Sequence, residues 1–339
     1  MAKLRGSGGI VLAVVVIGCA AVWFLGGAEP IASSPSSPPL VLERTISLGM
    51  VEGRIDHLAI DVVRKRLFVA ELGNDILAAV DLERGEVLNT VTGLREPQGV
   101  AYVPGPDLVY VASAGDGSLR WFRGDDLAPV GRLDLGGDAD DIRLDGPDRI
   151  MVGYGSGGLA TVDAASGRKV GDVALPAHPE GFQIDAKRNR VDVNLPDRLQ
   201  VASVDRSSGR GIGRWGLTFA AGNFPMALDE EGGRLFVGYR FPSTLAVIDA
   251  TTGNTLGKAS MCSDADDLFY DARRKRVYAS CGSGETAVYD AASATSEIGR
   301  AATRSGARTS LFVPALDRLY VAVPERGGQP AEIMIFAPR

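Results

Sequence analysis

Short apolar runs ending in Asp or a turn residue recur along the chain. They are His57-Leu58-Ala59-Ile60-Asp61, Gly99-Val100-Ala101-Tyr102-Val103, Asp141-Ile142-Arg143-Leu144-Asp145, Gly181-Phe182-Gln183-Ile184-Asp185, Pro225-Met226-Ala227-Leu228-Asp229, Asp267-Leu268-Phe269-Tyr270-Asp271 and Ser310-Leu311-Phe312-Val313-Pro314. Their last positions are 61, 103, 145, 185, 229, 271 and 314, with spacings of 42, 42, 40, 44, 42 and 43. After a short turn comes a second run, as in Leu67-Phe68-Val69-Ala70, Val109-Tyr110-Val111-Ala112, Leu235-Phe236-Val237-Gly238 and Leu319-Tyr320-Val321-Ala322. Alternation and β-branched or aromatic content make these runs strands. A third run ends in Asp, as in Ala79-Val80-Asp81 and Val247-Ile248-Asp249, and a turn from that Asp to a Gly closes it. The Asp side chain caps such a turn and the Gly supplies its positive φ. A fourth strand leads into the next unit. No segment sustains a period of 3.6, so helices are expected to be nearly absent.

Four antiparallel strands per forty-odd residues, repeated seven times, is the pattern of a β-propeller. The last unit, Ser310 to Phe336, has only three strands, and Val41–Leu48 is a lone strand ahead of the first. Joining the two completes a seventh blade and leaves no orphan edge. The expected fold is therefore all-β: a seven-bladed propeller over residues 41–338, closed by the N-terminal strand, with about 43 residues per blade. The L-F-V-A, V-Y-V-A and L-F-V-G strands, with the V-I-D-A-T-T-G element at Val247–Gly253, resemble the YVTN-type repeats of bacterial YncE-like propellers. That resemblance implies an exported or surface protein, and it transfers no catalytic residue.

The first forty residues have a different pattern. Lys3 and Arg5 precede an uncharged run, Ile10–Leu25, and a Pro/Ser-rich spacer follows over residues 28–40. This is the order of an export signal, so residues 1–27 read as a signal peptide or a membrane anchor. Three outcomes stay open: retention as a tether, cleavage after Ala28, and lipidation at Cys19 within Val16-Ile17-Gly18-Cys19. All three place the propeller outside the cytoplasm, in the periplasm or at the cell surface.

Composition narrows the function classes. The chain is 45% hydrophobic and 23% charged, enough for a large core. A net charge of −6 disfavours nucleic acid as a partner. Three cysteines and two histidines exclude a disulfide scaffold and a zinc-finger array. No G-x-S-x-G, P-loop, H-E-x-x-H or haem-attachment motif occurs. Cys262 and Cys281 fall in one blade, where simple register puts Cys281 opposite Asp266. A disulfide and two free buried thiols are both open.

Counting along the repeat gathers the polar residues. Five residues before each repeat end stand Asp56, Gln98, Asp140, Glu180, Phe224, Asp266 and Thr309, which are expected to ring one mouth of the central channel. Two loops are identical, Asp138-Ala139-Asp140-Asp141 and Asp264-Ala265-Asp266-Asp267. The converging carboxylates Asp56, Asp140, Glu180 and Asp266 read as ligands for Ca²⁺ or another divalent cation, and a transition metal if His57 or His178 joins them. The alternative is that they cap loop-to-strand corners and face channel water. Gln98, Asn223, Tyr239, Arg240 and Arg308 are candidate ligand contacts on the same face, Tyr239 and Arg240 from an outward-reaching loop.

Three functions follow. The first is binding of a small molecule or protein partner at this acidic face, a reading that assumes no catalysis. The second is a lactonase-like hydrolase, with a channel cation held by the carboxylates and Asn223, and His57 or His178 as base. The third is docking to a partner or anionic lipid through the opposite face. The turns there are basic: Arg64-Lys65-Arg66, Lys187-Arg188-Asn189-Arg190 and Arg273-Arg274-Lys275-Arg276.

Overall fold

The computed structural model describes residues 38–216, 219–292 and 296–339. They form seven four-stranded antiparallel sheets. Blade 1 is Leu58–Asp61, Arg66–Glu71, Ile76–Asp81 and Glu86–Thr92, paired in that order. Blades 2 to 6 repeat it over residues 97–134, 139–174, 182–216, 221–260 and 265–302. Blade 7 has three strands from the C-terminal end: Thr309–Val313, Arg318–Val323 and Ala331–Pro338. Its fourth strand is Leu40–Gly49, antiparallel to Ala331–Pro338. The helices among the described residues are three single 3₁₀ turns, at Leu72–Asn74, Ala114–Asp116 and Pro196–Arg198. No described helix is long and apolar enough to cross a membrane. The reading of residues 1–27, and of the spacer up to residue 37, lies outside the described residues.

Strand alternation builds the ring. In Arg66–Glu71, Leu67 and Val69 join a core shared with blade 7, while Phe68 and Ala70 join one shared with blade 2. Each blade is thus apolar on both faces, and the core consists of seams between blades. The outermost strand breaks the pattern, since Glu86–Thr92 is mostly exposed. Turn chemistry follows the sequence: Asp81 Oδ1 accepts the backbone N–H of Glu83 at 2.8 Å and of Arg84 at 2.9 Å, and Gly85 has a φ of +76°.

Two expectations shift by one residue. In blade 7, Ser310 pairs with Val321 as Leu58 pairs with Val69 in blade 1. The seventh repeat therefore ends at Val313, and its ring position is Arg308, not Thr309. In blade 6 a bulge between Ala265 and Asp267 places Cys281 opposite Ala265, not Asp266. Cys262 and Cys281 are joined by a disulfide across a separation of 19 residues. Closing a loop of that length stabilises by about 3 kcal/mol in the chain-entropy view. Replacing both cysteines with serine is expected to lower the urea midpoint accordingly; an unchanged midpoint would refute the contribution.

The basic turns opposite the acidic mouth are engaged between blades. Arg64 forks onto Asp107 of blade 2 with two contacts of 2.7 Å, and Arg274 onto Asp317 of blade 7 at 2.6 and 2.8 Å. Lys187 reaches Glu231 of blade 5 at 2.6 Å. These cations face acids one repeat away, so this face carries less free positive charge than its sequence suggests.

Candidate functional site

The residue at the beginning of each inner strand, among its first residues or within two residues before it, defines the mouth: Asp56, Gln98, Asp140, Glu180, Phe224, Asp266 and, from blade 7, Arg308. The two identical loops share one backbone device. Asp138 and Asp264 adopt φ of +33° and +60°, and a register shift follows each. Where the loops converge there is a cavity of about 30 Å³, lined by Arg54, Asp56, His57, Asp140, Asp141, Arg143, Glu180, Asp266 and Asp267 among others. That volume suits about one water or one small ion.

The charges sort into two sides. On one, guanidiniums clamp the acids. Arg240 pairs with Asp266 and lies 4.0 Å from the centre of the Phe224 ring. Arg308 Nε is 2.8 Å from Asp266 Oδ2, and its Nη1 is 2.9 Å from Asp264 Oδ1. Arg54 Nη2 is 2.7 Å from Asp56 Oδ2. On the other side stand Asp140, His178 and Glu180, whose ligand atoms all lie within 4.8 Å of one another. Among the described residues, no guanidinium forms an ion pair with Asp140 or Glu180. His178 Nδ1 is 2.6 Å from the carbonyl of Gly155. A carbonyl only accepts, so Nδ1 carries the proton, and Nε2 is turned towards Asp140 Oδ2 at 3.7 Å. Such second-shell orientation is typical of an imidazole ligand.

Protonation follows the burial. Burial pushes the Glu180 carboxyl up to about 8, and the nearby charges of Asp140 and Asp266 add to it, against the smaller pull of His178 and Arg240. Burial works against a charge on His178, yet Asp140, the Gly155 carbonyl and Asp138 raise it to about 9. Burial also raises Asp56 and Asp267 to about 6. Between them His57 is raised to about 9: burial opposes its charge, but Asp267, Asp56 and Asp141 outweigh that. Its Nδ1 is 3.6 Å from Asp267 and its Nε2 is 3.8 Å from Asp56. Asp141 pairs with Arg143 through Oδ1, while its buried Oδ2 has no hydrogen-bond partner.

The structure thus splits the residues expected to act together. Asp140, Glu180 and His178 meet; Asp56 and Asp266 are held by arginines. His57 sits at the inner end of the cavity. Gln98 is half-buried, and its carbonyl accepts the His57 N–H at 3.3 Å. Asn223 is fully buried, donating to Asn194 Oδ1 at 3.0 Å and to the Gln200 carbonyl at 2.9 Å, so its amide nitrogen is taken up by the ring itself. Tyr239 does not reach outward: it lies within the long strand Arg234–Phe241, with its ring buried against Phe219. Arg54 and Arg143 were not legible as site residues. Arg54 lies in the crossover from the closing strand, which has no counterpart in the other repeats. Arg143 did carry a signal, since Ala59 and Ala101 fill its position in blades 1 and 2.

Solved structures agree with this architecture. Kuenenia stuttgartiensis hydrazine synthase is similar over 82% of this chain and 94% of that one, with a TM-score of 0.72 and 13% sequence identity. The chain is a seven-bladed β-propeller. At that identity the likeness is one of fold. No protein-family model matches the chain, and no curated protein does.

Proposed function

We propose that this propeller binds a divalent cation through Asp140, His178 and Glu180 and presents it to a ligand or partner at the acidic channel face, without catalysis. One observation carries the reading: two carboxylates and an oriented imidazole converge within 4.8 Å, with no guanidinium paired to either acid among the described residues. Like charges at that distance repel unless a proton or a cation intervenes. A donor set of one nitrogen and two carboxylates suits Zn²⁺ or Mn²⁺ better than Ca²⁺, which prefers oxygen alone. Three protein ligands leave coordination positions for an outside donor.

The YncE-like repeats and the export pattern of residues 1–40 support an extracytoplasmic propeller, tethered to the membrane or released from it. The Cys262–Cys281 disulfide fits an oxidising compartment. The test is elemental analysis of the purified protein after incubation with Mn²⁺ or Zn²⁺ and exhaustive dialysis. One ion per chain is expected, with loss in His178→Ala. Absence of a retained ion, or full retention in that variant, would end the proposal.

A further inference from the structure

Below the acidic cavity the channel changes character. A chamber of about 250 Å³ lies among the inner strands of blades 1, 2, 3, 6 and 7, with Ile60, Tyr102, Leu144, Phe269 and Leu311 in its wall. That is room for roughly eight water-sized groups. His57, Arg143 and Asp267 line both this chamber and the small cavity above, so they form the partition between the two. An apolar pocket with a few convergent polar groups at one end is the usual form of a small-molecule site.

The polar end decides what such a molecule must carry. Asp267 already faces partners: Oδ1 lies 3.6 Å from His57 Nδ1, an ion-pair distance, and Oδ2 accepts the Ser310 N–H at 2.7 Å. Ser310 Oγ is within 2.8 Å of Ser280 Oγ. Arg143 differs. Its Nη1 serves both Asp141 and the Ile142 carbonyl, while Nε and Nη2 make no hydrogen bond among the described residues. Asp141, with its unmatched Oδ2, lines the small cavity and not the lower chamber, so the unmet groups that Arg143 offers the chamber are donors. A full negative charge is nonetheless disfavoured: Arg54, His57 and Arg143 are matched in number by Asp56, Asp141 and Asp267, and Asp140, Glu180 and Asp266 line the cavity beside them, so no net positive charge is left to hold an anion. A cation meets His57 and Arg143 in the same wall, whose charges oppose it.

We infer that the lower chamber binds a small, uncharged, largely apolar molecule whose one hydrogen-bond acceptor, such as a carbonyl oxygen, meets the free N–H groups of Arg143. This site is separate from the cation site and does not depend on it. Leu144, 46% exposed, stands at the chamber wall, where it can be changed without disturbing the core.

The test is a ligand-observed NMR titration of the metal-free protein with four probes of similar size: acetophenone, ethylbenzene, benzoate and benzylamine. Acetophenone is expected to bind tightest, about tenfold better than ethylbenzene, the difference expected of a hydrogen bond to a charged donor. Benzoate and benzylamine are expected to be weaker still. Leu144→Asp, which sets a carboxylate in the chamber wall, should abolish acetophenone binding. Arg143→Lys, which keeps the charge beside Asp141, should erase the preference for acetophenone over ethylbenzene. No saturable acetophenone binding, tighter binding of either charged probe, or indifference to Leu144→Asp would overturn the inference. A preference unchanged in Arg143→Lys would overturn the role given to the guanidinium, and with it the carbonyl requirement.

Discussion

A chain lacking Leu40–Gly49 is expected to show no cooperative melting transition by circular dichroism. The strand buries Leu40, Ile46 and Leu48 at 3, 1 and 8% exposure. Each such side chain contributes about 2–3 kcal/mol, a sum that removes much of the roughly 5–15 kcal/mol of a typical fold. Its loss also bares the apolar strand Ala331–Pro338 as an open edge, a template for aggregation. Contacts beyond the blade go with it. Arg44 donates to the Leu82 carbonyl of blade 1 at 3.2 Å, so the strand holds blade 7 to blade 1 as well as completing it, while Glu43 pairs with Arg318 inside blade 7. Ile46→Asp sets a carboxylate in the same seam and should act in the same direction. A truncated chain with a native-like melt would show that the ring does not rely on this closure.

Raising the pH from 6 to 7 is expected to tighten metal binding by up to about a hundredfold, because two ligand protons must leave. Glu180 loses its proton near pH 8 and His178 near pH 9, so both are largely protonated over this interval in the metal-free protein. Deprotonation is what coordination requires, and alkali therefore favours it. The metal-free protein should behave in the opposite way. Glu180 is raised to about 8 from 4.5, Asp56 and Asp267 to about 6 from 3.8, and His57 and His178 to about 9 from 6.5. Glu71, buried at the blade 1–blade 7 seam, is raised to about 7 from 4.5 by burial alone. In every case the folded form holds its proton more tightly than the unfolded chain does. That stability is complete below the unfolded values and is lost as pH climbs through the folded ones. The carboxyls give theirs up between about pH 4 and 8, and the histidines between 6.5 and about 9. The melting temperature without metal should thus fall from pH 5 to pH 9, and added Mn²⁺ should restore it most at the alkaline end. A metal-free melting temperature that rises with pH would contradict the charge arrangement described for the channel.

Periodicity made most of the fold legible, because blades 1 to 6 hold the same alternation and blades 1, 3, 4 and 5 the same Asp-to-Gly turn. Blade 7 was misread by one residue: Val313 holds the place of Val103 or Asp61 and Pro314 follows it as Pro104 follows Val103, a count that pairing of Ser310 to Val321 fixes. The mouth was legible for the same reason as the blades. Its division into clamped and free acids was not. Arg54 sits in a crossover loop outside the repeat, and Arg240 and Arg308 choose Asp266 over Asp140 through contacts between blades that no local pattern encodes. Tyr239 and Arg240 show the cost of a strand end misjudged. The strand continues to Phe241 instead of stopping at Gly238, so adjacent side chains go to opposite faces, Arg240 to the mouth and Tyr239 into the seam.

The identical loops allow a direct trial of the cation site, since the same substitution can be made in each. Calorimetric titration of Mn²⁺ at pH 8 should give one site per chain in the native protein. Asp140→Asn should abolish that heat, while Asp266→Asn, whose carboxylate is already matched by Arg240 and Arg308, should leave it. Equal loss in both variants, or no heat in the native protein, would contradict the assignment of the metal to Asp140, His178 and Glu180.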